Sequence, residues 1–85
     1  MPYSIRFTRR AQDDFDSLDK PLQHRLRPHI DRLAADPFPA GAKKLHSDEP
    51  FYRIRVGDYR VVYQVERKQL IVVVIKVGHR KEVYR

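Results

Sequence analysis

The sequence predicts an α+β protein of two layers, in which an N-terminal strand and a helical hairpin precede an antiparallel β-meander. Three patterns carry that expectation. Tyr3, Ile5 and Phe7 alternate with Pro2, Ser4 and Arg6 at period two, apolar residues then recur at spacings of three and four up to Ala34, and residues 51–77 are rich in β-branched and aromatic side chains.

The opening strand is expected to end at Thr8, a suitable N-cap for a helix carrying Ala11, Phe15 and Leu18 on one face. Asp13 and Asp14 are expected near the favourable N-terminal end of its dipole. Asp19-Lys20-Pro21 breaks this helix and starts the next, since proline suits a first helical turn. The second helix carries Leu22, Leu26, Ile30, Leu33 and Ala34 on one face, His24, Arg25, Asp31 and Arg32 elsewhere, and stops before Pro37. Pro28 denies a hydrogen bond to residue 24 and is expected to kink or shorten that helix. Residues 37–50 hold three prolines and a glycine and read as a loop, with residues 43–46 as a short edge strand. Strands follow at 51–56, 59–66 and 70–77, joined by short hairpins at Gly57-Asp58 and at Arg67-Lys68-Gln69. The last strand is apolar at both parities and is expected inside the sheet, with the helices over one face.

The chain reads as one domain over residues 1–85, small enough to borrow stability from a partner. It has no cysteine, which excludes a disulfide framework, a thiol nucleophile and a cysteine zinc site. Its start lacks the apolar run expected of a signal peptide, and its only long apolar stretch, Leu70 to Val77 with Lys76 inside it, falls far short of the roughly 20 residues of a membrane span. A soluble, cytoplasmic protein without a membrane partner is expected. The net charge of +7 is uneven: residues 51–85 carry +6 of it. That asymmetry fits a nucleic-acid or other polyanion surface as well as a merely solubilising one.

Alternation puts Arg53 and Arg55 on one side of their strand, and the next hairpin arm brings Arg60 to the same side. Three guanidiniums there suit the phosphates of an RNA strand, although arginines also keep a sheet face soluble. Gly78-His79-Arg80-Lys81-Glu82-Val83-Tyr84-Arg85 adds an imidazole, more cations and a phenol. Cleaving RNA through its own 2′-hydroxyl needs alignment, a base, an acid and cations for the phosphorane charge. Arginine serves the last need and, with a pKa above about 12, is poor at the first proton transfer. A base or acid must come from His79, Lys81, Tyr84 or the machinery that holds the RNA. Metal chemistry has little to work with, because the acidic residues spread over the hairpin and the histidines lack zinc spacing. No cofactor-binding signature is present either.

The run Phe51-Tyr52-Arg53-Ile54-Arg55-Val56-Gly57-Asp58-Tyr59-Arg60-Val61-Val62-Tyr63, followed by Val77-Gly78-His79-Arg80-Lys81-Glu82-Val83-Tyr84, resembles the RelE/ParE toxin superfamily, and within it the RelE type. The resemblance covers essentially the whole chain. It implies a two-layer fold with the first strand beside the last, and the toxin of a type II toxin–antitoxin system that cuts messenger RNA in the ribosomal A site without metal. The implied partners are a cognate antitoxin, messenger RNA and the ribosome, with no small-molecule cofactor. Arg53, Arg55 and Arg60 would hold phosphates, Arg80 would steady or protonate the leaving group, and Tyr84 would stack on the RNA base. Lys81 and Arg85 join the RNA-binding set. The best-known member has lysines where this chain has Arg53 and Arg55, and one of them is credited with general-base work, so His79 becomes the first residue to test. The chain stops at Arg85, so the helix that follows in some relatives is expected to be missing. A ParE-like gyrase inhibitor and a degenerate member that binds only its antitoxin are the alternatives on the same fold.

Overall fold

A computed structural model describes residues 2–45 and 50–79. Five strands form one sheet in the order β1-β5-β4-β3-β2, with β1 (Ser4–Phe7) parallel to β5 (Ile71–His79) and the other neighbours antiparallel. The meander is β3 (Phe51–Val56), β4 (Tyr59–Glu66) and β5, and β2 (Lys43–Lys44) is a two-residue edge strand. The expected α+β order is therefore present, and β5 is interior as its double-sided apolar pattern requires.

Helix α1 (Arg9–Asp16) starts where β1 stops because Thr8 has two tasks. Its hydroxyl accepts from the Ala11 N–H at 3.1 Å, capping the helix, and donates to the Ile75 carbonyl at 3.2 Å. Past the last β1 pair, Phe7 with Val74, helix α1 thus takes over the free edge of β5. Asp14 extends this, its carboxylate accepting from the Val77 N–H at 3.2 Å. The expectation for Asp13 and Asp14 is corrected here: the helix begins at Arg9, so its first turn has no acid and both aspartates lie in its second half. Asp14 answers an orphan strand donor, a need no helical pattern reveals.

Helix α2 (Lys20–Asp31) is capped by Asp19, whose carboxylate accepts from the Leu22 N–H at 3.1 Å, with Pro21 in the first turn. It runs unbroken through Pro28. His24 and Pro28 are both on the exposed side, so the carbonyl that loses its donor faces solvent. A 3-10 turn at Arg32–Ala34 replaces the last helical turn and still buries Leu33. The Arg27 guanidinium covers the Phe7 and Phe15 rings at 5.8 and 5.7 Å from their centroids, sealing the hairpin against β1.

The core lies between the helices and one sheet face, where Leu26, Ile30, Leu33, Val61, Tyr63, Val72 and Val74 are fully buried. Two boundaries differ from the sequence expectation. The edge strand ends at Lys44, and the last strand runs from Ile71 to His79 because Leu70 takes a left-handed φ of 55° in the preceding turn. The Leu70 carbonyl accepts from the Ser4 N–H at 2.8 Å, which seats β1 beside β5.

The Tyr63 hydroxyl donates to the Pro37 carbonyl at 2.7 Å and ties the proline loop to the sheet. Burial raises this phenol above its ordinary pKa, and Tyr52 and Asp36 add to the effect. Replacing Tyr63 by Phe is expected to lower stability by about 1 to 3 kcal/mol at neutral pH, since a buried carbonyl loses its donor. A raised folded-state value means that the contribution is complete below about pH 10 and is lost as pH rises further. Denaturant unfolding of both proteins should show the difference shrinking above pH 10, and a pH-independent difference would contradict the assignment.

Candidate nucleic-acid interface

The β3–β4 hairpin buries Ile54, Val56, Val61 and Tyr63 towards the helices, and period-two alternation sends Arg53, Arg55 and Arg60 to the other face. The pairing is direct: Arg55 stands opposite Arg60, and Arg53 stands opposite Val62. Gly57, with a φ of 61°, supplies the left-handed residue that the two-residue turn needs.

Two lysines join this face that the sequence reading did not name among the site residues. Lys43 pairs with Arg53 from the edge strand, and Lys76 pairs with Val62 from β5. Lys76 arrives there through a register shift between Val62 and Tyr63, which lets β5 carry one extra residue at Ile75. Strict alternation from Val74 would turn Lys76 into the core; the bulge turns Val77 inward and Lys76 outward. The signal was a lone lysine inside an apolar strand, a residue that tolerates the core only when paired.

Lys43, Arg53 and Lys76 therefore lie in one cross-strand row, and Arg55 and Arg60 in the next. Gly78 opposes Arg60 and leaves that position without a side chain. Arg53 and Arg60 are only 5% and 7% exposed, whereas Arg55 reaches solvent. Among the described residues no ion pair neutralises Arg53 or Arg55; the pairs present, Arg10 with Asp14 and Arg27 with Asp31, belong to the helices. The face presents Arg55, Lys43 and Lys76 to an anion such as a phosphodiester, with Arg53 and Arg60 buried beside them.

His79 is placed differently. It pairs with Tyr59 at the end of β5, and its ring packs edge-on against the Tyr59 ring at 5.6 Å, on the helix side of the sheet. The strand thus carries His79 across the sheet from the three arginines. Arg80, Lys81, Tyr84 and Arg85 lie outside the described residues. Among the described residues, no three of His, Asp or Glu converge as metal ligands, and no helix is long and apolar enough to cross a membrane.

Residues 5–84 match the family described as the ParE toxin of the type II toxin–antitoxin system parDE. The toxin RelG of Mycobacterium tuberculosis is 29% identical over 94 residues, spanning 100% of this chain and 99% of that protein. An archaeal RelE–RelB complex from Pyrococcus horikoshii contains a chain similar in structure, with a TM-score of 0.82 at 28% identity over 98% of this chain and 100% of that one. The isolated Escherichia coli RelE toxin gives a TM-score of 0.81 at 29% identity, covering 96% of this chain and 90% of that one. With a family match along nearly its whole length and RelE relatives of the same architecture, the chain belongs to the RelE/ParE superfamily of type II toxin–antitoxin toxins.

Proposed function

We propose that this toxin is a metal-independent endoribonuclease that cuts messenger RNA in the ribosomal A site, in the cytoplasm, under the control of a cognate antitoxin. The observation that carries the reading is the convergence of Arg53, Arg55 and Arg60, with Lys43 and Lys76, over one sheet face. In the reaction the 2′-oxygen attacks the adjacent phosphorus and the bond to the 5′-oxygen breaks. The 2′-hydroxyl proton passes to a base, a second proton goes to the leaving 5′-oxygen, and the products are a 2′,3′-cyclic phosphate and a 5′-hydroxyl. Arg53, Arg55 and Arg60 hold the phosphate and stabilise its growing negative charge. Arg80 serves the leaving oxygen, Tyr84 stacks on the base, and Lys81 and Arg85 contact the flanking strand.

Proton transfer falls to His79, Lys81, Tyr84 or a group of the ribosome. The His79 ring, on the helix side against Tyr59, supports a positioning part better than direct proton transfer. The antitoxin is proposed from the company the fold keeps, since the archaeal relative was solved as a RelE–RelB complex. An acidic segment suits a chain of net charge +7.

The ParE description of the matching family favours a second reading, inhibition of DNA gyrase. Primer extension on translated messages after induction separates the two: new 5′ ends are expected, and their absence alongside blocked supercoiling would establish gyrase as the target. Arg53→Ala and Arg60→Ala should each slow cleavage by about 100-fold or more, in line with the loss of a preorganised transition-state donor. Arg80→Ala and Tyr84→Ala should abolish growth arrest in a folded protein, whereas Leu26→Ala should act through about 2 to 5 kcal/mol of lost stability. Unfolding in all of them would defeat this sorting of site from core. His79→Gln is expected to reduce single-turnover cleavage by about tenfold or less, with the pH profile unshifted. A loss in the roughly 100- to 10,000-fold range of general acid–base catalysis, with one limb of the profile removed, would make His79 the proton carrier.

A further inference from the structure

Helix α2 carries a second set of basic side chains that the arginine face does not use. Arg25, His29 and Arg32 follow one another at spacings of four and three and so share one side of the helix and its 3-10 extension. That side runs beside β3. At one end the Arg25 guanidinium lies over the hairpin turn, so close that a Cβ at Gly57 would come within 2.6 Å of its Nη2. At the other end His29 and Arg32, with Pro39, Gly41, Ile54 and Arg55, line a groove of about 330 Å³.

The groove connects with the arginine face for a topological reason. The edge strand β2, continued by Leu45, covers Phe51 to Arg53, so among the described residues β3 is itself the sheet edge from Ile54 to Val56. Arg55, on the open stretch, lines the groove and also stands opposite Arg60 on the cationic face. The Phe51 carbonyl accepts from the Leu45 N–H across the β2 side, and period two directs the Arg55 peptide group to the same open edge. Arg55 thus offers its side chain and its backbone N–H at the passage between the two surfaces.

We infer that the groove between α2 and β3 is a second phosphodiester subsite, in which His29 and Arg32 hold the RNA strand as it leaves the Arg53–Arg55–Arg60 face around the β3 edge. The inference rests on the RNA reading above and gives the strand a direction. Its electrostatics are one-sided: among the described residues no ion pair neutralises Arg25, Arg32 or Arg55. Arg25, His29, Arg32 and Arg55 stand at axial steps of roughly 4.5 to 6.6 Å along helix and strand, a row of donors suited to a repeating anion. An acidic amphipathic helix, about 10 Å across, needs a row of apolar pockets. Ile54 and Pro39 are the larger apolar residues in this lining, which suits a sugar-phosphate unit better.

Fluorescence anisotropy with labelled, 2′-O-methylated single-stranded RNAs tests this without cleavage, using a trinucleotide and an octanucleotide. His29→Ala/Arg32→Ala should weaken the octanucleotide by about tenfold and leave the trinucleotide unchanged. The salt slope for the octanucleotide should flatten by about 0.7 to 1.4, or roughly 0.7 for each phosphate that is no longer neutralised. Arg53→Ala should weaken both RNAs alike, and Arg32→Lys should keep most of the octanucleotide affinity. Arg32 is exposed, so Arg32→Glu alone gives the same readout if the double variant fails to fold. An octanucleotide indifferent to the groove substitutions but sensitive to Arg53→Ala would overturn the subsite and spare the RNA reading. No binding of either RNA by the unmodified protein would overturn both. An oligoglutamate peptide that binds through His29 and Arg32 while RNA ignores them would make the groove a peptide site and overturn the inference.

Discussion

Burial on the inner face of the β3–β4 hairpin fixes everything that the outer face displays. Ile54, Val56, Val61 and Tyr63 are driven into the core, and a slip of one residue would expose all of them. The register that protects them forces Arg55 against Arg60 and Arg53 against Val62. Like charges directly opposite each other are destabilising, and the Arg55–Arg60 pair is tolerated because the apolar set beneath it dominates. An anion bound there removes that repulsion, and a ligand that binds the folded state alone also stabilises it.

The far end of the sheet follows the same logic with a different device. Where β1 runs out, Thr8 and Asp14 satisfy the exposed edge of β5 from helix α1, and the extra residue at Ile75 resets the inward face from Val74 to Val77. One bulge thereby keeps Lys76 out of the core, puts Gly78 opposite Arg60 and sends His79 towards Tyr59. The place of Lys76 on the cationic face and that of the histidine away from it are two consequences of a single inserted residue.

Most of the architecture was legible because it is periodic or punctuated. Alternation in β1, β3 and β4, the cap at Thr8, the helix break at Asp19-Lys20-Pro21 and the turn at Gly57-Asp58 all read locally, and the arginine side of the hairpin followed from parity. Features that depend on a neighbouring strand did not. The β5 bulge is invisible in a run apolar at both parities, so Lys76 was noticed without a place and His79 was grouped with the arginines it faces away from. Lys43 needed a cross-strand partner to acquire meaning, and Asp14 needed an orphan N–H on β5. Arg25 and Arg32 read as the outer side of an amphipathic helix, and only the short reach of β2 turns that side, with His29, into the wall of a groove.

The central claim is that the guanidiniums of Arg53, Arg55 and Arg60 together grip a ribose-phosphate chain. Titrating the ¹⁵N-labelled protein with a non-cleavable RNA while following the arginine Nε–Hε resonances tests it most directly. These three signals are expected to shift together and saturate at one RNA concentration, while the Arg27 signal, whose guanidinium lies over Phe7 and Phe15, stays in place. Shifts spread evenly over the surface arginines, with Arg53 and Arg60 unmoved, would contradict it.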